Sequence, residues 1–290
     1  MKLSNYNLFI TVFLLWLTQR LQDTYESYFA YILILTVGIF HGSNDIALIR
    51  FLNKGSSNHI TRYLLFYVLL VLITCFVFIK LPLSALLIFI AFSCYHFGEQ
   101  HFSSQLESST RINQFLYAGY GILIFGLLFY FNYEATDSII LELTGFSFSK
   151  YYYLVFLVIG FIMTCIFGYI SLSNFKKDVD FFREVFLILL FALLFKLASL
   201  LWAFAIYFIV WHSLPSLKDQ IQSLHGKFNA SNLISYIKSS VIYWLISLVG
   251  LVIVFYISES FDIRFITLFF AFLAAITIPH VIVMYYLNKN

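Results

Sequence analysis

The hydrophobic residues of this chain form long continuous runs, and charged or turn-forming residues separate one run from the next. Continuous runs favour helices over strands, and helices suit a membrane because they satisfy their own backbone hydrogen bonds. The pattern predicts ten apolar helices, over residues 8–18, 28–49, 63–79, 81–96, 115–133, 152–172, 182–195, 197–214, 233–257 and 265–287. We therefore expect an all-α, polytopic transmembrane helical bundle of eight to ten spans, forming one integral-membrane domain over residues 1–290.

One boundary decides the predicted topology. Residues 182–214 form either two short spans that meet at Lys196 or a single bent helix, which would reduce the total to nine. Cytoplasmic loops are enriched in Lys and Arg. With the split and a cytoplasmic N-terminus, 12 of the 17 basic residues fall on the cytoplasmic side, and the other side keeps Arg20, Lys80, Lys150, Lys196 and Arg264. This asymmetry favours ten spans with both termini in the cytoplasm. We expect the protein to lie in the cell (inner) membrane.

Composition supports a membrane protein and argues against other classes. Hydrophobic residues make up 62% of the chain and charged residues 11%, with a mean hydropathy of +0.91, whereas soluble domains are about 25% charged. The net charge of +3 is small and the basic residues are dispersed, so nucleic-acid binding is not expected. Cys75, Cys94 and Cys165 lie singly in apolar runs, which indicates neither a disulfide framework nor a thiolate metal site.

Four of the seven histidines are predicted to lie at one depth in the membrane. Each follows a charged residue of the non-cytoplasmic side by 15 or 16 residues, in the pairs Glu26 and His41, Lys80 and His96, Lys196 and His212, and Arg264 and His280. At 1.5 Å per residue, each imidazole is about 24 Å into a hydrocarbon core of about 30 Å. A single membrane histidine commonly only hydrogen-bonds across a helix interface. Four at one level predict a common site.

The other three histidines are not expected to join this site. His59 and His225 fall in polar loops that we predict to be cytoplasmic, where a solvated side chain is the ordinary case. His101 follows His96 by five residues, which turns it about 140° around a helix of 3.6 residues per turn. The two rings therefore cannot easily face one ligand.

Two carboxylates share a helix face with a histidine. Asp45 lies four residues after His41, and Glu99 lies three residues after His96. Each can accept the second ring N–H of a metal-binding imidazole, although each can equally be an interfacial charge near a helix end.

Small and aromatic residues complete the surroundings of the histidines. Gly42 follows His41 directly and Gly98 lies two residues after His96, so both remove bulk where helices approach closely. Four aromatic residues either line a substrate tunnel or face lipid: Tyr95, Phe97, Tyr207 and Phe208.

A ligand set made of imidazoles suits iron, copper, zinc or nickel. The chain also has 36 Phe and 21 Tyr, which makes a long apolar or conjugated molecule from the lipid phase a natural substrate. A biased genome would enrich the same residues, so this composition does not by itself identify the substrate.

Four short motifs occur in order along the chain: GIFHGSNDIAL around His41, SCYHFGEQHF around His96, YFIVWHSLPSL around His212 and TIPHVIV around His280. In order and approximate spacing they resemble the Brp/Blh family of integral-membrane β-carotene 15,15′-dioxygenases, and the likeness spans nearly the whole chain. The resemblance implies iron(II) held by histidines, molecular oxygen as co-substrate, and cleavage of the central double bond of β-carotene into two all-trans-retinal molecules. It also implies a functional link to a rhodopsin apoprotein that uses the retinal.

One position departs from the family pattern. The family has a further histidine four residues after that of the WHS motif, and this chain has Ser216 there. Either His280 supplies the fourth ligand, as the common depth indicates, or three imidazoles and a water hold the iron. The expected site has His41, His96 and His212 as catalytic metal ligands, His280 as a further ligand, and Asp45 and Glu99 as their supports.

Three other functions compete with this one. A histidine-box hydroxylase or desaturase would also use iron, but its H-x-x-x-H and H-x-x-H-H clusters do not occur in the sequence. A bis-histidine haem protein would use paired histidine ligands and would show a haem absorbance band. A proton-coupled transporter would use ionisable side chains at membrane depth as a relay, with His41, Asp45, His96 and Glu99 as its members.

Overall fold

The computed structural model of the chain describes residues 3–53, 57–108, 110–259 and 265–288. Within these ranges it contains eleven helices and no strand, which confirms the predicted all-α class. In chain order the helices are α1 (Leu3–Thr18), α2 (Asp23–Leu52), α3 (Ser57–Lys80), α4 (Pro82–Phe102), α5 (Arg111–Phe131), α6 (Tyr133–Thr144), α7 (Lys150–Ile170), α8 (Phe181–Leu197), α9 (Leu200–His225), α10 (Ala230–Glu259) and α11 (Phe265–Leu287).

Eight of these helices are long and apolar enough to cross a membrane, namely α2, α3, α4, α5, α7, α9, α10 and α11. The protein is therefore a multi-pass membrane protein. All ten predicted apolar helices form, but α1 and α8 have only 16 and 17 residues. Eight long helices lie at the lower limit of the predicted range of spans.

Two helices replace the single long apolar stretch around Lys196, as the charge distribution predicted. Helix α8 ends at Leu197 and α9 begins at Leu200. At this break the backbone N–H of Ser199 donates to Glu26 Oε2 over 2.9 Å, so a carboxylate lies at the positive end of the α9 dipole. Glu26 is therefore a buried helix cap beside the break near Lys196, and its predicted place on the outer side of the membrane stays a prediction.

The described residues divide into two compact units, each assembled from separate stretches of the chain. Unit 1 comprises residues within 1–34, 93–138 and 147–215. Unit 2 comprises residues within 35–92, 139–146 and 216–290. The single domain over residues 1–290 stays a prediction.

Close helix approaches organise unit 1. An added Cβ on Gly126 of α5 would lie 2.7 Å from the Cα of Leu157 in α7. Likewise, a Cβ on Gly98 of α4 would lie 1.9 Å from the carbonyl oxygen of Tyr117 in α5. Because glycine has no side chain, these backbones touch directly, as is common between helices in membranes.

An apolar cluster fixes the C-terminal end of α11 in unit 2. Its buried members come from the last part of α2 and the last turns of α11, and they are Leu48, Ile49, Val283, Met284 and Leu287. Buried apolar contact of this kind holds the two segments in register. It places His280, one turn before the cluster, against the start of the Asp45 segment of α2.

Helix α6 was missed because its sequence is short and mixed in polarity. It ends before Gly145, whose φ of 75° suits glycine. Within α6, Asp137 accepts hydrogen bonds of 2.6 Å from Ser147 Oγ and from the Phe148 N–H, both in the segment that follows Gly145. Burial by itself raises the pKa of Asp137, but these bonds and a third from Tyr153 lower it below its ordinary value.

Several helices extend beyond their predicted ends into polar sequence. Helix α4 continues past His96 to Phe102. His59 lies in α3 and His225 is the last residue of α9. The prediction that both lie in loops was therefore wrong. Four residues used in the topology prediction lie outside the described part of the chain: Lys2, Lys54, Arg264 and Lys289.

Candidate functional site

His41 lies between two irregular turns of α2. A π-helical turn over Ile34–Gly38 precedes it, and a non-helical turn at Ser43 and Asn44 follows it. The Nδ1–H of His41 donates a hydrogen bond to the Gly38 carbonyl. A neutral imidazole that donates from Nδ1 carries its lone pair on Nε2, the nitrogen that can then bind a metal.

His280 is held in the same way by a carboxylate. Its Nδ1 lies 2.7 Å from Asp45 Oδ1, and the Tyr67 hydroxyl donates to Asp45 Oδ2 over 3.0 Å. The ring of His280 meets that of His41 edge to face, with ring centroids 4.9 Å apart. Unit 2 therefore brings together two buried imidazoles whose Nδ1 atoms are both engaged. In a neutral ring that donates from Nδ1, Nε2 carries the lone pair.

Asp45 supports a different histidine from the one that its spacing predicted. We expected it on the helix face of His41, four residues earlier. The turn at Ser43 and Asn44 interrupts α2 between the two residues, so the helical relation is lost. The carboxylate instead faces α11 and binds His280.

The same turn frees the backbone carbonyl of His41, and two residues that sequence reasoning missed bind it. Gln220 Nε2 donates to this oxygen over 3.0 Å, and the Tyr236 hydroxyl lies 3.1 Å away. Gln220 also donates to Ser216 Oγ over 3.2 Å. Ser216, which replaces the histidine of the family pattern, thus helps to hold the amide that supports His41. The sequence signal available for Gln220 was a polar side chain shortly after the WHS motif. Nothing in the sequence distinguished Tyr67 and Tyr236 from the other tyrosines among the 21 of the chain.

Unit 1 brings His96 and His212 together. Their ring centroids are 4.7 Å apart, in an edge-to-face arrangement. His212 lies in a second π-helical turn, Phe208–Ser213 of α9, and π turns occur often at functional sites. Phe97 stacks on His212 with a centroid distance of 4.2 Å, which fixes the plane of the imidazole.

The remaining predicted neighbours surround this pair. Phe208 stacks on His212 at 5.6 Å, and Tyr207 is buried in the core of unit 1. Glu99 Oε1 accepts a hydrogen bond of 3.4 Å from the Tyr95 hydroxyl. Phe97 and Tyr207 therefore face protein, and Tyr95 and Phe208 are half-buried beside it.

His101 belongs to another cluster, as its angular position predicted. Its Nε2 lies 2.6 Å from Glu184 Oε2, and its ring stacks on Tyr120 at 4.4 Å. Gln105 Nε2 donates to the second oxygen of Glu184 over 3.3 Å. This polar group ties α4 to α8 within unit 1.

The four predicted ligands are of a type that transition metals bind, and they occur as two buried pairs. The four imidazoles are each only 1 to 4% exposed. The ring centroids are 4.7 Å apart in the His96–His212 pair and 4.9 Å apart in the His41–His280 pair, so the two imidazoles of each pair are close neighbours. In the described residues, no group of three or more His, Cys, Asp or Glu side chains is already arranged to hold a metal ion. The common four-histidine site stays a prediction.

Comparison with known proteins bears on the same residues. The sequence matches the family model described as beta-carotene 15,15′-dioxygenase over residues 32–288, a range that contains all four histidines. Neither a curated protein nor a solved structure matches the chain. The family match supports β-carotene dioxygenase activity in general and agrees with the resemblance carried by the four motifs. The chain therefore belongs to the beta-carotene 15,15′-dioxygenase family.

Proposed function

We propose that the protein cleaves the central double bond of β-carotene with molecular oxygen, so that one carotenoid and one O₂ give two all-trans-retinal molecules. We also propose iron(II) as the cofactor, with His41, His96, His212 and His280 as its ligands. Family membership supports the general activity. The metal, its ligands and the products are our extension of it.

The observation that carries the proposal is the pairing of buried imidazoles in a membrane protein of this family. His41 meets His280 in unit 2, and His96 meets His212 in unit 1. Ionisable side chains are costly at membrane depth even when they are hydrogen-bonded, so four of them there support a functional site. Neutral imidazole is also a ligand type that suits iron.

The chain's own residues prepare the ligands. Asp45 accepts a hydrogen bond from the Nδ1–H of His280, and the Gly38 carbonyl accepts one from the Nδ1–H of His41, so both rings keep a fixed orientation. Such partners raise the basicity of a ligating imidazole. Phe97 restricts His212 by stacking. When bound, iron(II) supplies the electrons that activate O₂.

Substrate selection follows from shape rather than from hydrogen bonds. β-Carotene has no polar atom, and burial yields little free energy for a molecule already dissolved in lipid. The protein must therefore select by the form of an apolar cavity. We further propose that the protein resides in the cell inner membrane with both termini cytoplasmic, and that its retinal reaches a rhodopsin apoprotein.

Coexpression in cells that produce β-carotene tests the proposal. We expect the orange colour to bleach and all-trans-retinal to appear in extracts, in an oxygen-dependent manner. A well-expressed, membrane-inserted protein that leaves β-carotene unchanged would contradict the proposed activity. A visible spectrum of the purified protein separates this function from a haem protein, since histidine-bound iron(II) without porphyrin has no intense haem band.

A further inference from the structure

Unit 2 contains a cavity of about 720 Å³ that is partly open at the helix surface, where wall residues such as Ile79 and Ile246 are exposed. Its volume is within the range of about 300–1,000 Å³ that small-molecule sites occupy. Its wall comes from α2, α3, α10 and α11, with contributions from Pro82 and Leu143. Small residues leave the space open, among them Gly250 of α10 and Ala271 and Ala275 of α11. A Cβ added to Gly250 would meet no atom within 4 Å.

The wall of this cavity is apolar almost throughout. Among the described residues that line it, Asp45 is the one with a charged side chain. Both oxygens of that carboxylate are already engaged, one by His280 and the other by Tyr67. A polar or charged ligand would find few groups to replace its hydration, so the cavity suits a hydrocarbon.

The cavity also adjoins the histidine pair of unit 2. Gly42 and Asp45 line it. A Cβ on Gly42 would lie 3.7 Å from His280 Nδ1 and 3.7 Å from Ile276, another wall residue. The cavity therefore reaches Asp45, which is hydrogen-bonded to His280.

We propose that this cavity holds one arm of the carotenoid, meaning one end ring and its half of the polyene, and that Gly250 and Ala271 determine which arms fit. This inference rests on the proposed function. β-Carotene is symmetrical about its central bond, so an arm anchored at a fixed depth beside a ligand histidine brings that bond to the metal. Depth of the cavity then sets which double bond is cleaved.

Filling the cavity tests the assignment. Gly250→Leu adds carbon atoms to space that the arm would occupy, and Gly168→Leu is the matched control. Gly168 lies in α7 of unit 1, where an added Cβ meets Leu116 Cδ1 at an ordinary 3.8 Å. Both variants put the same side chain on an apolar membrane helix, and only one reduces the cavity.

Binding can be measured without turnover on the iron-loaded protein in lipid nanodiscs, with oxygen excluded. β-Carotene is achiral, so a saturable circular dichroism signal in its visible band reports the molecule in an asymmetric site. We expect Gly250→Leu to raise the half-saturating concentration by roughly tenfold or more, since overpacking an occupied site is strongly unfavourable. Gly168→Leu and the unmodified protein should bind alike, and all three should retain equal iron.

If Gly250→Leu and the unmodified protein bind β-carotene equally, the assignment is wrong. It is also wrong if Gly250→Leu loses a co-purified lipid acyl chain but still binds β-carotene, because the cavity then holds lipid. If Gly250→Leu lowers the unfolding temperature, Ala271→Leu fills the same cavity from α11 and is judged by the same signal. If Gly250→Leu keeps its iron, its cleavage activity and its β-carotene affinity, only the assignment of the cavity is refuted. If the unmodified protein has no iron and cleaves no β-carotene, yet binds it more tightly than Gly250→Leu does, the proposed function is refuted instead.

Discussion

At the scale of the residue, one ring nitrogen of each unit 2 histidine decides what the other can do. As neutral rings, His280 donates a hydrogen bond from Nδ1–H to Asp45, and His41 donates one from Nδ1–H to the Gly38 carbonyl. Nε2 then carries the lone pair in both rings. The residues that matter are consequently the acceptors as well as the histidines, and the acceptor of His280 lies on another helix.

Replacing the proposed ligands is the first prediction. His41→Ala, His96→Ala, His212→Ala and His280→Ala should each lose bound iron and retinal formation, because each removes a buried nitrogen donor. His225→Ala, at the end of α9, should lose neither. Metal analysis of the purified proteins and chromatography of retinal measure both effects. Full iron content in any one of the four would remove that residue from the ligand set.

The carboxylate beside His280 gives a second prediction. Asp45→Asn preserves shape but weakens the acceptor for Nδ1–H, so iron(II) affinity should fall by about 10–100-fold, the usual cost of losing a partner of a ligating histidine. Tyr67→Phe removes the hydroxyl that binds the other oxygen and leaves the His280 bond in place, so its effect should be smaller. Anaerobic iron(II) titrations compare the two, and equal affinities for Asp45→Asn and the unmodified protein would refute the role.

At the scale of the element, irregular helical turns and missing side chains shape the surroundings of the histidines. π-Helical turns lie just before His41 and around His212. The break after His41 frees a carbonyl that Gln220 and Tyr236 bind. Gly98 is required for the contact of α4 with α5, whereas Gly42 has ordinary van der Waals space around it. Our expectation of close approach was therefore right for Gly98 and wrong for Gly42.

The two glycines make a matched pair of variants. Gly98→Ala should destabilise the protein by about 1–3 kcal/mol or more, because the new methyl group overlaps the Tyr117 carbonyl and forces α4 and α5 apart. Gly42→Ala should be nearly neutral in stability, since its methyl group meets neighbours at 3.7 Å. Thermal unfolding in detergent measures both, and an unchanged unfolding temperature for Gly98→Ala would contradict this description of the helix contact.

At the scale of the whole molecule, folding depends on the helices, whereas the proposed reaction depends on the metal. Each long apolar helix satisfies its own backbone hydrogen bonds, so helical structure in lipid does not need an ion. The described residues also form compact cores in both units from apolar and aromatic side chains. Loss of metal should therefore remove activity without removing helical content.

Chelation tests this separation. Removal of iron should abolish retinal formation and leave the far-ultraviolet circular dichroism unchanged, and added iron(II) should restore the activity. Zinc is the informative control, because it accepts the same imidazole ligands but has no redox chemistry with oxygen. Restoration by zinc, or activity that survives complete removal of iron, would exclude the proposed cofactor.

The sequence by itself determined the helical class, the membrane setting, nearly all helix positions and the family. These follow from local properties, since the length and continuity of an apolar run are read directly along the chain. The boundary at Lys196 was predictable because charge marks the sides of a membrane. Helix α6 was not, because a short helix of mixed polarity has no such signal.

Only the tertiary structure decided which residues support which histidine. A turn of two residues directs Asp45 away from His41, so that its carboxylate binds His280. Gln220 of α9 and Tyr236 of α10, from distant parts of the sequence, bind the His41 carbonyl. Spacing predicts neighbours only while a helix stays regular, and a single irregular turn redirects every side chain after it. Contacts between helices depend on how they pack, which no local pattern in the chain records.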